Sequence, residues 1–178
     1  FSAQELILEP FAGVAFGLDP AASTRISSLH QVGMLAGMIL AGLAAVRFGG
    51  LSAWAAGGCL VSCLAFVGLV LSTGALPLFR AGLLALGIGN GCFAVGAVGG
   101  TMIRARGDHA GLQMGVFGAA QAVAYGIGGF RGAAGSDLGN ALLGSRIAGY
   151  TSVFLVEATL FGGAALLAWR SRTAEREE

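Results

Sequence analysis

Residues 53–71 read AWAAGGCLVSCLAFVGLVL, and residues 81–103 read AGLLALGIGNGCFAVGAVGGTMI. Neither stretch carries a formal charge. A helix that crosses ~30 Å of hydrocarbon needs ~20 apolar residues at 1.5 Å rise per residue, and both stretches are of that length. Working outward, three more runs follow the same rule: Ile26–Val46 with one His, Leu112–Phe130 with no charge, and Tyr150–Trp169 with one acid, Glu157. Leu6–Leu18 is apolar apart from Glu9 but too short to span, and reads as the second half of a helix. No stretch alternates with the period of two that a half-buried strand needs. The fold class is therefore all-α, a polytopic membrane helix bundle. Its spans are expected at about 4–18 (partial), 24–47, 52–72, 78–103, 111–134 and 148–169, with a charged tail over 171–178.

Composition supports the same class. Of 178 residues, 56% are hydrophobic and 11% charged, and mean hydropathy is +0.81. A soluble domain carries roughly 25% charged residues to face water. The 32 glycines follow no G-X-Y period, which excludes collagen, and they sit inside apolar runs rather than in linkers. All ten basic residues are Arg, against nine acids, for a net charge of +1 and no basic block. Nucleic-acid binding thus lacks an electrostatic footprint. Cys59 and Cys63 are one helical turn apart in an uncharged run and, like Cys92, read as small apolar packing residues without zinc spacing. The chain opens at Phe1, inside what reads as a helix, so a fragment or processed product is expected.

The connectors are short and hold most of the charge. Asp19–Ser23 is a turn running into a Ser/Thr cap, Arg47–Gly50 and Ser72–Pro77 close the next two, and Arg104–His109 is the most polar. Gly135–Arg146 is expected to hold a short amphipathic stretch. Arg47, Arg104, Arg106, Arg170, Arg172 and Arg176 fall on one side, and Arg25, Arg80, Arg131 and Arg146 on the other. That modest bias places the C-terminus in the cytoplasm. Small residues four apart (Gly33/Gly37, Gly111/Gly115, Gly128/Gly132, Gly135/Gly139) point to close helix packing inside the bundle or, on a sharper reading, to a dimer face on a partner complex.

Polar residues inside the apolar runs are the candidate site. An intramembrane carboxylate costs about 2.5–3.5 kcal/mol or more and needs a cavity or partner. Glu9 is followed by Pro10, so a helix broken beside an acid is expected. Glu9 and His30 lie roughly 13 and 9 Å from the same membrane face at 1.5 Å per residue, close enough in depth to form a pair. Asn90 sits in Gly87–Gly91, which lacks the spacing of a dinucleotide loop. Gln113 and Gln121 lie near one face of their helix, Glu157 needs a partner, and Arg131 with Asp137 is a candidate pair. No nucleophile–base pair, metal cluster or phosphate loop is visible, so no enzyme activity is expected.

Gly42–Gly50 is similar to the G-x-x-x-D-R-x-G-R loop of major facilitator transporters, with Val46 for the Asp and Gly50 for the last Arg. Gln4–Gly13 resembles the Q-D-x-L-L-E-P-Y-G-G signature of the PucC/LhaA group. Gly111–Ala122 with Gly126–Phe130 resembles its R-M-G-L-W-G-A-A-Q-A…G-x-G-G-F stretch. Ser23–Ser27 and Gly87–Phe93 match its T-T-R-L-T and G-x-G-N-G-x-F. The departures are Glu5, Phe11, Ala12, Gln113 and Phe117.

The resemblance covers the whole chain and implies the C-terminal half of a twelve-helix protein, helices 7–12. It implies an assembly factor for light-harvesting complexes in a bacterial inner, photosynthetic membrane. Such a factor binds or delivers bacteriochlorophyll and contacts antenna polypeptides or a reaction-centre complex. On that reading Glu9, His30, Asn90 and Gln121 line one pigment cleft, with His30 the candidate axial ligand to the chlorin magnesium. Two other readings stand beside it: a proton-coupled transporter of a small solute using Glu9 or Glu157, and a structural subunit docked on a photosynthetic complex. A missing N-terminal half is a further candidate partner.

Overall fold

The computed structural model describes residues 2–48, 50–105 and 109–174. Phe1, Gly49, residues 106–108 and residues 175–178 lie outside the described residues, and with them Arg106 and Arg176 of the orientation tally and the second half of the charged tail. The described residues form six helices: α1 (Ser2–Phe16), α2 (Pro20–Phe48), α3 (Leu51–Leu71), α4 (Leu76–Arg104), α5 (Ala110–Leu143) and α6 (Arg146–Ala174). There is no strand among the described residues.

Among the described residues, four helices are long and apolar enough to cross a membrane, over Pro20–Ala45, Leu51–Leu71, Leu76–Arg104 and Arg146–Arg170. This fits a multi-pass membrane protein. The expected fifth full span is the exception. α5 is the longest helix at 34 residues, yet Gln113, Gln121 and its many glycines dilute its hydropathy below that of the others.

Helix ends follow local chemistry. α2 begins earlier than the Ser/Thr cap suggested: the Ala22 N–H donates to Asp19 Oδ1 at 2.7 Å, and Pro20 opens the helix where its missing N–H is harmless. Gly17 and Gly144 adopt φ values of 63° and 64°, the left-handed conformation that ends a helix at little cost only for glycine. α1 runs unbroken through Pro10, so the expected break beside Glu9 does not occur. α5 continues to Leu143 in place of a separate amphipathic stretch after Gly135. It therefore carries Arg131 well inside a helix, which removes that residue from the connector tally.

The helices close a ring in the order α1–α2–α4–α3–α6–α5 and back to α1. Without a hydrophobic force between helices in lipid, close backbone approach and interhelical hydrogen bonds hold such a ring. α4 is the best example. Gly87 and Gly91 turn one face to Gly33 and Gly37 of α2, and a methyl on any of the four would overlap backbone atoms of the opposite helix. Gly89 and Gly96 turn the other face to α3, against Gly58 and Ala55. At the α5–α6 contact, Gly139 and Gly149 face each other in the same way. Gly111 and Gly115 have open space around them, so that pair is not part of the packing within this chain.

One end of the bundle is filled by aromatic rings. Phe11 of α1 meets Phe154 of α6 at 5.0 Å between centroids and Phe79 of α4 at 5.5 Å. Phe66 of α3 extends the cluster to Phe154 and Phe161. The inward stripe of α1 is Ala3, Gln4, Ile7, Leu8, Phe11 and Ala12. That spacing of three to four residues is the one a helix needs to bury a single face.

Candidate functional site

A buried polar chain joins four helices. Gln4 stands in the inward stripe of α1, and Ser23, Ile26, His30, Gly33, Gly37 and Ala41 form the inward stripe of α2. Gln4 Nε2 lies 3.4 Å from His30 Nε2. The Asn90 amide Nδ2 of α4 lies 3.1 Å from the same ring nitrogen. Ser62 Oγ of α3 donates to Asn90 Oδ1 at 2.9 Å. With the Asn90 amide N–H aimed at it, His30 Nε2 is the accepting nitrogen. All four side chains are buried. The glycines flanking Asn90 allow this, since they bring α2 and α3 close enough for one short amide to reach both. Gln4 Oε1 is buried without a hydrogen-bond partner.

In an apolar interior such a chain specifies which helix faces meet, because each unmade bond leaves a buried polar group exposed to hydrocarbon. Asn90→Ala is expected to destabilise the protein by about 1–3 kcal/mol, since His30 and Ser62 both lose a partner. The thermal unfolding midpoint in mild detergent measures this. An unshifted midpoint would show that the chain contributes nothing to stability.

The second feature is an apolar groove of about 610 Å³ between α3, α5 and α6. Ala3 of α1, Cys59 of α3 and Phe93 of α4 contribute to its lining, with Phe117, Ala124 and Tyr125 of α5 on one wall and Leu160 and Phe161 of α6 on the other. Its charged and amide side chains are Gln121, Arg131 and Glu157. Arg131 Nη2 donates to Glu157 Oε1 in an ion pair between α5 and α6. The Glu157 side chain is only 5% exposed. It lies eleven residues beyond Arg146, about 17 Å along the helix, deep within the Arg146–Arg170 span. The pair supplies the partner that an intramembrane acid needs.

The four sequence-predicted site residues are not brought together. His30 and Asn90 meet in the buried chain, where His30 Nε2 faces two amides, and neither residue lines the groove. Glu9 is half-buried and accepts the Thr24 hydroxyl at 2.7 Å, so its partner is Thr24 and not His30. Its outward register on α1, one residue past the buried Leu8, accounts for this. Gln121 alone of the four lines the groove. Arg131 pairs with Glu157 rather than Asp137, because the latter lies almost two turns further along the same helix. Gln4 and Ser62 were not singled out in the sequence. The inward stripe of α1 is the signal for Gln4, and Ser62 is the one hydroxyl within residues 53–71.

A family model described as PUCC protein matches residues 1–174. The chain belongs to the PUCC protein family. Among curated relatives, it is 41% identical over 172 residues to the bacteriochlorophyll synthase 44.5 kDa chain of Rhodobacter capsulatus, covering 93% of this chain and 40% of that protein. It is 33% identical over 168 residues to Protein PucC of Rhodobacter capsulatus, covering 90% of this chain and 36% of the relative. Protein PucC of Cereibacter sphaeroides is 34% identical over 133 residues, covering 71% of this chain and 28% of the relative. The chain thus spans well under half the length of the PUCC relatives it matches. No solved structure matches it.

Proposed function

We propose that this chain is part of an assembly factor for photosynthetic light-harvesting complexes, that it binds or delivers bacteriochlorophyll, and that the pigment is its cargo and not a substrate. The observation that carries the reading is the groove on the α5–α6 side. A chlorin has a wide apolar face, a long apolar tail and a few ring carbonyls. A site for it is an apolar slot with few, well-placed polar groups. The groove has that character: Phe93, Phe117 and Phe161 offer ring faces, and Gln121 and Arg131 offer donors to a carbonyl. The Gln121 amide oxygen is also the groove's neutral candidate for an axial contact to magnesium. The name of one relative points the same way: it is called a bacteriochlorophyll synthase chain. On this reading His30 and Asn90 hold α1, α2 and α4 to α3, the helix that gives the groove Cys59. Antenna polypeptides or a reaction-centre complex are the receiving partners, in a bacterial photosynthetic membrane with the C-terminus in the cytoplasm.

The test is pigment retention. Purification in mild detergent followed by solvent extraction is expected to recover bacteriochlorophyll with the protein. Ala124→Trp, which fills the groove from the α5 wall, is expected to reduce the recovered pigment about tenfold, the loss of roughly 1.4 kcal/mol of binding. Helical content by circular dichroism should be unchanged. Equal pigment in both proteins would move the site elsewhere. A pigment-free protein that moves protons with a solute would replace the reading by transport.

A further inference from the structure

A second cavity, of about 220 Å³, lies at the hairpin between α5 and α6, lined by Ser136, Asp137, Asn140, Arg146 and Tyr150. Its character is the opposite of the groove: all five lining residues carry hydrogen-bonding side chains. Asp137 comes from α5 and Arg146 opens α6. Among the described residues they form no ion pair with each other or with any other group. Two opposite charges therefore border one small space without closing it. Both donors and acceptors line it. Ser136 Oγ donates to Ala133 O at 2.8 Å, which leaves its oxygen to accept. Arg146, the Asn140 amide and the Tyr150 hydroxyl can donate. The Tyr150 ring is anchored in the core, edge-on to Phe11 at 6.1 Å.

The place in the membrane matters as much as the chemistry. Arg146 is the first residue of an apolar span that runs to Arg170, so the cavity stands where hydrocarbon gives way to headgroups. Leu138, Leu142 and Ile147 are exposed beside it, an apolar margin of the kind acyl chains cover.

We propose that this cavity binds the headgroup of a zwitterionic phospholipid, with the phosphate toward Arg146, Asn140 and Tyr150 and the ammonium toward Asp137. A phosphate held by a guanidinium and an ammonium held by a carboxylate are both charge-assisted contacts. An anionic lipid would satisfy Arg146 and leave Asp137 facing like charge. The site is independent of the pigment reading.

Native mass spectrometry of the protein in mild detergent, with added phosphatidylethanolamine or phosphatidylglycerol, tests the proposal. The parent protein is expected to retain phosphatidylethanolamine about tenfold better, the worth of one charge-assisted contact. Asp137→Asn is expected to erase that preference while keeping phosphatidylglycerol. Arg146→Gln is expected to lose both. Both positions are exposed, and unchanged circular dichroism confirms that the variants fold. Equal retention of the two lipids by the parent protein, or a preference that survives Asp137→Asn, would overturn the proposal. Displacement of the lipid by soluble phosphate alone would assign the cavity to a free anion and overturn the lipid as its occupant.

Discussion

Gly87→Leu is expected to prevent stable assembly of the bundle, while Gly111→Leu leaves it intact. The contrast isolates packing from helix propensity, since both changes replace glycine with a better helix former. At Gly87 a single added carbon already overlaps the His30 carbonyl and comes within contact of the Met34 and Gly33 backbones. These are backbone atoms of α2, and no side-chain rotation relieves them. α2 and α4 must separate, and the Asn90–His30 bond at 3.1 Å is broken with them. Overpacking costs about 1–3 kcal/mol where side chains can adjust, and the loss here is expected at or beyond the upper end. Gly111 has nothing within 4 Å of an added methyl. Size-exclusion profiles and thermal unfolding in detergent read both variants. A Gly87→Leu protein that stays monodisperse and melts with its parent would refute the packing account.

Arg131→Met is expected to destabilise the protein by about 3–5 kcal/mol, because it leaves the Glu157 carboxylate buried without its partner. The double variant Arg131→Met/Glu157→Met is expected to recover most of that loss, since removing both charges also removes the need to pair them. The double-mutant cycle separates a pair kept for function from one kept for stability. If the double variant is stable yet retains less bacteriochlorophyll than the parent, the ion pair belongs to the proposed recognition of pigment by the groove. If Arg131→Met alone is as stable as the parent, the contact between α5 and α6 does not depend on the pair.

The pair also shows where one-dimensional reading stopped. Glu157 was legible as an intramembrane acid in need of a partner, and Arg131 as a cation near the end of an apolar run. Their match was not legible, because Asp137 was nearer in sequence. The choice depends on α5 continuing past Gly135, which turns Arg131 toward α6 and Asp137 toward the hairpin cavity. The predicted meeting of Glu9 and His30 failed for a similar reason. Equal depth in the membrane places two residues in one layer, but rotation about each helix axis decides whether they face one another. Glu9 follows the buried Leu8 on the outer edge of the α1 stripe, and the inward position belongs to Gln4.

The sequence alone determined that this is an all-α membrane bundle, because uncharged runs of ~20 residues have no other stable form in hydrocarbon. It also carried the PUCC family's segments, and marked Gly33, Gly37 and Gly139 as contact points. Only the tertiary structure decided which helices those glycines join and that Asn90 bonds to both His30 and Ser62. It alone showed that Gln121 lines a groove with Arg131 and Glu157 while His30 does not. The division has a physical basis. Hydropathy sets each residue's environment one helix at a time, and is written along the chain. Partner choice is set by helix rotation and the ring order of six helices, which exist only once the backbones have come into contact.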